Sequence, residues 1–295
     1  MGRHLHFDCF SGISGDMVLG ALVDAGLAWT KLVTGLKGLK LSGYRLRKRT
    51  VHRGAFEATK VDVLIQRGFE RPLSPSHIRR IVAAATLPLA VKQRSLEVFD
   101  RLAEAEGTAH RTGDRKIRFH EVGVLDSLID VVGSVLGCHL LDVASATASA
   151  VNVGSGTVVT SHGPLPVPGP TVTILAKGIP IYSEGPRCEL TTPTGMALLR
   201  TLVSDFGPTP AMKIASVGHG AGSHNPENWP NVLRVFLSEP MAGGQPLLDH
   251  VIQIETNLDD LTPQAYEHVM DRLFEAGALD VALIPAIMKR GRPGV

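Results

Sequence analysis

The chain has 295 residues, 44 % of them hydrophobic and 20 % charged, which is enough apolar content for a sizeable core and too much for a disordered segment. Thirty basic residues against 28 acidic ones leave a formal charge of +2, and aromatics make up 5 %, so neither a broad nucleic-acid surface nor a base-stacking platform is indicated. Cys9, Cys138 and Cys188 are widely spaced with no CxxC, so neither a disulfide framework nor a cysteine zinc site is supported, and reduced thiols in a cytoplasm fit best. Asp8 interrupts the first apolar stretch, so no signal peptide is expected. No uncharged apolar run approaches the roughly 20 residues of a membrane span.

In chain order, HLHFDCF at 4–10 reads as a strand and SGISGD as a Gly/Ser loop. The next run, 17–27, has helical spacing at Met17, Leu19, Leu22 and Val23 and ends at Gly26. Two strands are expected around 44–50 and 58–65, the second with the alternation of KVDVLIQ. A helix follows over 74–85, with Ser74 or Ser76 as its cap, and Pro88 separates it from a second over 91–106. The stripe of that second helix is Val91, Val98, Phe99, Leu102 and Ala105. HRTGDRK is a basic turn, and FHEVGVLDSLIDVVGSVLGCHLLDV enters a long apolar helix.

After Ala150 the texture changes to Gly, Pro and Val, predicting short strands, turns and an extended proline segment. A short helix is expected over 171–176, and another in ELTTPTGMALLRTLV with Thr194 as its cap. SVGHGAGSHNPENWPNVLRVFL reads as a glycine-rich loop followed by a strand, and MAGGQP as a linker. Beyond it, 249–260 reads as a strand, 262–280 as a helix with Pro263 near its first turn, and 281–295 as a further strand. The expectation is an α/β chain: a large layered domain over 1–243, then an incomplete ferredoxin-like βαβ fragment over 244–295.

Several runs carry residues suited to chemistry. Asp8 and Asp16 bracket the first loop, whose amides at Ser11, Gly12, Ser14 and Gly15 open a helix and attract anions. The loop has neither Rossmann nor P-loop spacing, and a tight turn with Asp16 as a cap competes with a phosphate or metal role. His120, Glu121, Asp126 and Asp130 supply one imidazole and three carboxylates within eleven residues, among apolar neighbours. Asp126 and Asp130 stand at i and i+4 on one helix face, a like-charge pair that costs stability unless a cation joins it. A divalent-metal or acid/base site is preferred over a cap and a surface pair. Mixed imidazole and carboxylate ligands suit nickel, zinc, manganese or iron without choosing among them.

His162 and His219 are flanked by glycine, where backbone approaches a ligand closely. The hydroxyls and amides of ELTTPTG, at Thr191, Thr192, Thr194 and Gly195, could bind an anion. Cys9 beside Asp8 could be a soft metal ligand, although buried packing is the commoner fate of a thiol. Glu255, Asp259 and Asp260 in IETNLDDLTP could hold a hard cation with nucleotide phosphates, which Lys289, Arg290 and Arg292 would meet; a solvated turn and a basic tail are the plainer accounts.

Taken together, FDCFSGISGDM, FHEVGVLDSLIDVVG, SHGPLPVPGPT, ELTTPTGMALL, ETNLDDLTP and MKRGRPG make the chain resemble the LarC family over nearly its whole length. These are nickel-insertion proteins that complete the nickel-pincer nucleotide cofactor of lactate racemase. The resemblance implies pyridinium-3,5-bisthiocarboxylic acid mononucleotide as substrate, nickel as the inserted ion, and CTP with Mn2+ or Mg2+ as helper. It implies a lyase-class, cytoplasmic enzyme that forms a metal–carbon bond. The glycine loop would take the substrate phosphate, His120 or Glu121 would be the base, and Asp16, His120, Asp126 and Asp130 would hold nickel. Asp8 and His162 are further candidates for the metal, and Asp259 and Asp260 for the helper cation.

Family members continue beyond MKRGRPG into a C-terminal CTP-binding domain, so the expectation is a chain truncated in the first part of that domain. Expected partners are the mononucleotide, a separately encoded C-terminal piece, the acceptor racemase and further copies in a homo-oligomer; no nucleic acid or membrane is expected. Two other readings stand beside this one: a nickel-binding carrier without catalysis, and a metal-dependent enzyme acting on another phosphorylated substrate.

Overall fold

A computed structural model describes residues 2–69, 73–109, 125–160, 163–239 and 252–295. The chain divides into two compact units, Met1–Gly244 and Gln245–Val295.

In the first unit, β1 (Arg3–Asp8) leads through the glycine loop into α1 (Gly15–Asp24) and α2 (Trp29–Leu36). The hairpin β2 (Tyr44–Arg53) and β3 (Phe56–Ile65) precedes three helices, α3 (Pro75–Ala84), α4 (Leu89–Ala109) and α5 (Leu125–Leu140). Then come β4 (Val143–Ala148), β5 (Val151–Asn152), β6 (Thr157–Thr160), β7 (Gly163–Pro166), α6 (Pro170–Leu175) and β8 (Ile181–Tyr182). The unit closes with α7 (Pro193–Leu202), β9 (Asp205–Phe206), β10 (Ile214–Ala221) and β11 (Val232–Ser238).

Seven of these strands form one mixed sheet in the order β2-β3-β10-β11-β1-β4-β9. β1 sits inside it, antiparallel to β11 and parallel to β4. Strand alternation sorts its residues by face: Leu5 and Phe7 enter the core, while His4, His6 and Asp8 take the other side. Leu233, Val235 and Leu237 of β11 join the same core, beneath α1. α5 packs on α1, and a Cβ at Gly133 would stand 2.8 Å from Leu19 Cδ2. The apolar stripe expected over 91–106 is buried in α4, at Val91, Val98, Phe99, Leu102 and Ala105.

One expectation changes here. SVGHGAG is not a loop but most of strand β10. Its glycines serve close packing rather than turning: a Cβ at Gly220 would lie 1.8 Å from the Met17 carbonyl oxygen, and one at Gly218 2.0 Å from that of Ala21. Helix α1 therefore lies directly on the backbone of β10, which only glycine permits.

In the second unit, α8 (Ala265–Glu275) falls inside the helical run, but residues 252–258 form no strand. The alternating apolar residues Ile252 and Ile254 are 90 % and 87 % exposed, with no neighbouring strand among the described residues to take up their backbone groups. The strand expected over 281–295 is reduced to β12 (Ala286–Ile287) and β13 (Pro293–Gly294), an antiparallel ladder folded about Lys289–Gly291. Pro285 and Pro293 cannot donate to a ladder, which limits a continuous strand. Among the described residues no helix is long and apolar enough to cross a membrane.

Candidate functional site

The site forms where β1 ends and α1 and α7 begin. At the strand end Asp8 faces Arg234 of β11, whose Nε donates to Asp8 Oδ2 at 2.8 Å. Next to it Cys9 is fully buried; burial foremost, and Asp8 next, push its thiol pKa up, so it stays protonated and packed.

The loop is locked to the ELTTPTG segment. Gly12 has φ +73, and its N–H donates to the Cys9 carbonyl at 3.0 Å. The Ile13 N–H donates to the Leu190 carbonyl, and the Thr192 N–H to the Ile13 carbonyl, each at 3.0 Å. A Cβ at Gly12 would stand 2.1 Å from the Leu190 oxygen, and one at Gly195 2.2 Å from the Ile13 oxygen. The N-terminal ends of α1 and α7 are thereby held side by side.

Within this frame Ser11 is buried and accepts from Trp229 Nε1 at 2.8 Å, and buried Thr191 donates to the Asn152 carbonyl at 2.7 Å. The cap of α7 is Thr192, not Thr194: Thr192 Oγ1 accepts from the Gly195 N–H at 3.2 Å. Pro193 fills the first helical position, so the cap falls one residue before it. Thr194 instead packs its methyl group toward Gly15, and Ser14, at the cap position of α1, makes no side-chain cap bond.

Asp16 is not the helix cap either. Its Oδ1 accepts from Ser14 Oγ and from the Met17 N–H, the latter at 2.9 Å. Its Oδ2 accepts from Lys60 Nζ and from Ser223 Oγ, the latter at 2.9 Å, and Lys60 also donates to Ser223 at 3.0 Å. Lys60 is a β3 side chain only 3 % exposed, so its ammonium is held almost out of water against Asp16.

Asp130 of α5 closes the site from the other side. A Cβ at Gly15 would stand 2.8 Å from Asp130 Cβ and 3.0 Å from Asp130 Oδ2. Asp130 Oδ1 is buried with no hydrogen-bond partner among the described residues. Burial first, then the charges of Asp16 and Asp126, raise the Asp130 pKa well above the ordinary carboxylate range, while Lys60 opposes them. Asp126, in the first turn of α5, accepts the Ser127 N–H at 2.7 Å.

The structure thus sets Asp130 beside Gly15 of the glycine loop and within electrostatic reach of both Asp16 and Asp126. An orphaned carboxylate oxygen in this setting fits a cation, and oxygen donors suit hard and borderline divalent ions. Among the described residues no group of three or more His, Cys, Asp or Glu side chains is arranged to hold a metal by itself. His110, His120, Glu121 and His162 lie outside the described residues. His219 is placed otherwise than at a ligand position: its N–H donates to Asp24 at 2.9 Å and its ring packs on Phe56. In the second unit Asp259 pairs with Arg292 at 2.7 Å, and Asp260, Lys289 and Arg290 are exposed.

Sequence reasoning missed Lys60, Ser223, Trp229 and Arg234. Lys60 sits in the alternating run KVDVLIQ, where a polar position reads as solvent-facing. Nothing local signals that its ammonium meets a carboxylate 44 positions away.

The family model for nickel insertion proteins matches residues 5–295, and so covers every element of this site. The chain belongs to the nickel insertion protein family. A pyridinium-3,5-bisthiocarboxylic acid mononucleotide nickel insertion protein of Nocardioides sp. is 45 % identical over 97 % of the chain and 72 % of its own length. Proteins of the same name from Desulfitobacterium hafniense strain DCB-2 and Geobacillus kaustophilus are 41 % and 39 % identical, over 98 % and 99 % of the chain and 73 % and 75 % of their own lengths. No solved structure matches the chain.

Proposed function

We propose that this chain inserts nickel into pyridinium-3,5-bisthiocarboxylic acid mononucleotide. The observation that carries the reading is the family match over nearly the whole chain; Asp16 in the first turn of α1 and Asp126 and Asp130 of α5 support it as oxygen donors for the incoming ion. Nickel here is a substrate. Asp16, Asp126 and Asp130 hold it, together with His120; imidazole is the softer donor that a borderline ion prefers. Asp8 and His162 are outer candidates.

The reaction replaces a ring C–H bond by a C–Ni bond, and the released proton goes to His120 or Glu121. A base with a pKa near the working pH suits that transfer. Ser11, Gly12, Ser14 and Gly15 of the loop and Thr191, Thr192, Thr194 and Gly195 beside it are the candidate residues for holding the mononucleotide. CTP with Mn2+ or Mg2+ assists, with Asp259 and Asp260 as candidate holders of that second cation. The product is the nickel-pincer nucleotide taken up by a racemase of the lactate racemase type.

The test follows insertion by absorbance, with nickel, the mononucleotide, CTP and Mn2+ present. Loss of product in His120→Ala and Asp126→Asn supports the assignment. Wild-type rates in both variants would remove it.

A further inference from the structure

We propose that a second cleft of the first unit, apart from the carboxylate cluster, binds the phosphate group of a nucleotide ligand. The cleft holds about 490 Å³, a volume in the range of small-molecule sites, and Arg101, Lys177, Arg200 and Asp205 are among the residues that line it. Helix α7 separates it from the carboxylate cluster: Thr192 caps the end at the glycine loop, and Arg200 sits eight residues on, about 12 Å along the axis.

Three cations face one carboxylate here, and Asp205 already turns an oxygen to the Phe206 N–H at 2.9 Å. Arg200 is aimed by its own backbone contacts: Nη1 donates to the Leu175 and Lys177 carbonyls at 3.1 and 2.6 Å. That leaves Nε and Nη2 of its guanidinium without acceptors among the described residues. Arg101 is half engaged: Nη2 meets Glu97 Oε1 at 2.8 Å, and its side chain stays partly exposed. Guanidinium N–H groups left without acceptors, as on Arg200, are a place for an anionic oxygen. Two planar guanidinium forks and one mobile ammonium match the several oxygens of a phosphate.

The glycine loop is the poorer host for that group. The Gly12 and Ile13 amides are already spent on backbone carbonyls, and Asp16 and Asp130 stand beside the loop. The identity of the ligand as a nucleotide rests on the nickel-insertion reading, which supplies two sources of phosphate: the mononucleotide substrate and CTP.

The test is calorimetric titration of the full chain with nicotinic acid mononucleotide (a pyridinium mononucleotide without sulfur) and separately with CTP. Wild type is compared with Arg101→Gln/Lys177→Gln, which leaves Arg200 of α7 on its backbone carbonyls at Leu175 and position 177. One titrant is expected to bind at least tenfold more weakly to the variant and to lose affinity with added salt, and that titrant names the source. Unchanged circular dichroism and melting temperature show that the variant is folded; Arg101→Lys, which keeps charge but not the fork, should recover part of the affinity. Affinities within twofold for both titrants, or no binding of either to wild type at millimolar concentration, would overturn the proposal. Nickel insertion with an unchanged KM in the double variant also overturns it while leaving the nickel reading intact. A wild-type chain that binds a titrant through these residues yet inserts no nickel overturns the nickel reading and leaves the cleft.

Discussion

Lys60 Nζ bonds Asp16 Oδ2 across 44 positions of sequence, tying the middle of β3 to the first turn of α1. The pair has Ser223 as a shared third member, whose hydroxyl accepts a hydrogen bond from Lys60 and donates one to Asp16. A buried ammonium with one carboxylate partner is costly to orphan, and so is that carboxylate.

Lys60→Met should therefore cost on the order of 2–4 kcal/mol, because it leaves Asp16 beside Asp130 without its counter-charge. The urea midpoint reads this directly. An unchanged midpoint would mean that the pair is solvated and contributes nothing.

Asp130 gives a pH prediction. Its folded-state pKa is raised well above 3.8, so the neutral form is the one the fold accommodates. The sign follows from linkage: its contribution to stability is complete below the unfolded-state pKa and is lost as pH rises toward the folded-state value. Asp130→Asn removes this titration. In metal-free protein the variant should gain stability relative to wild type as pH rises above about 4, until the raised pKa is passed. Parallel stability–pH curves for the two proteins would contradict the burial of this carboxyl.

The glycine loop predicts a steric contrast. Gly195→Ala drives a Cβ to 2.2 Å from the Ile13 oxygen, a contact with backbone that cannot swing aside. A loss of about 1–3 kcal/mol is expected. Gly207→Ala, with nothing within 4 Å of the added Cβ, should change little. Thermal unfolding of the two variants checks both outcomes together.

Arg234→Gln should separate the strand end from the metal residues. Asp8 loses its guanidinium, one donor of which stands at 2.8 Å, but the Asp16–Lys60–Ser223 group is untouched. If Asp8 is an outer ligand, nickel affinity measured by competition with a chelator rises modestly in this variant as the carboxylate is freed. A fall would assign Asp8 a purely structural role.

The architecture was readable where local pattern and burial agree. The α4 stripe at Val91, Val98, Phe99, Leu102 and Ala105 has the helical period and is buried as that period requires. Ser74 was legible as a cap, and it accepts the His77 N–H at 3.2 Å. Pattern failed where tertiary packing overrides it. Gly218 and Gly220 look like loop residues because propensity cannot register a helix lying against their backbone. Ile252 and Ile254 alternate like a strand, but pairing needs a neighbour, and alternation alone does not provide one. At the site, Asp16, Asp126 and Asp130 stood out as acidic residues in apolar or glycine-rich surroundings. Their cationic partner Lys60 did not, because long-range ion pairs leave no mark on spacing.

The most direct measurement is the mass of the mononucleotide after incubation with this chain, nickel, CTP and Mn2+. The account predicts a product heavier by one nickel and lighter by the proton lost from the ring carbon, formed by wild type and not by Asp126→Asn. A mononucleotide of unchanged mass, with nickel retained on the protein, would contradict insertion and leave a nickel carrier in its place.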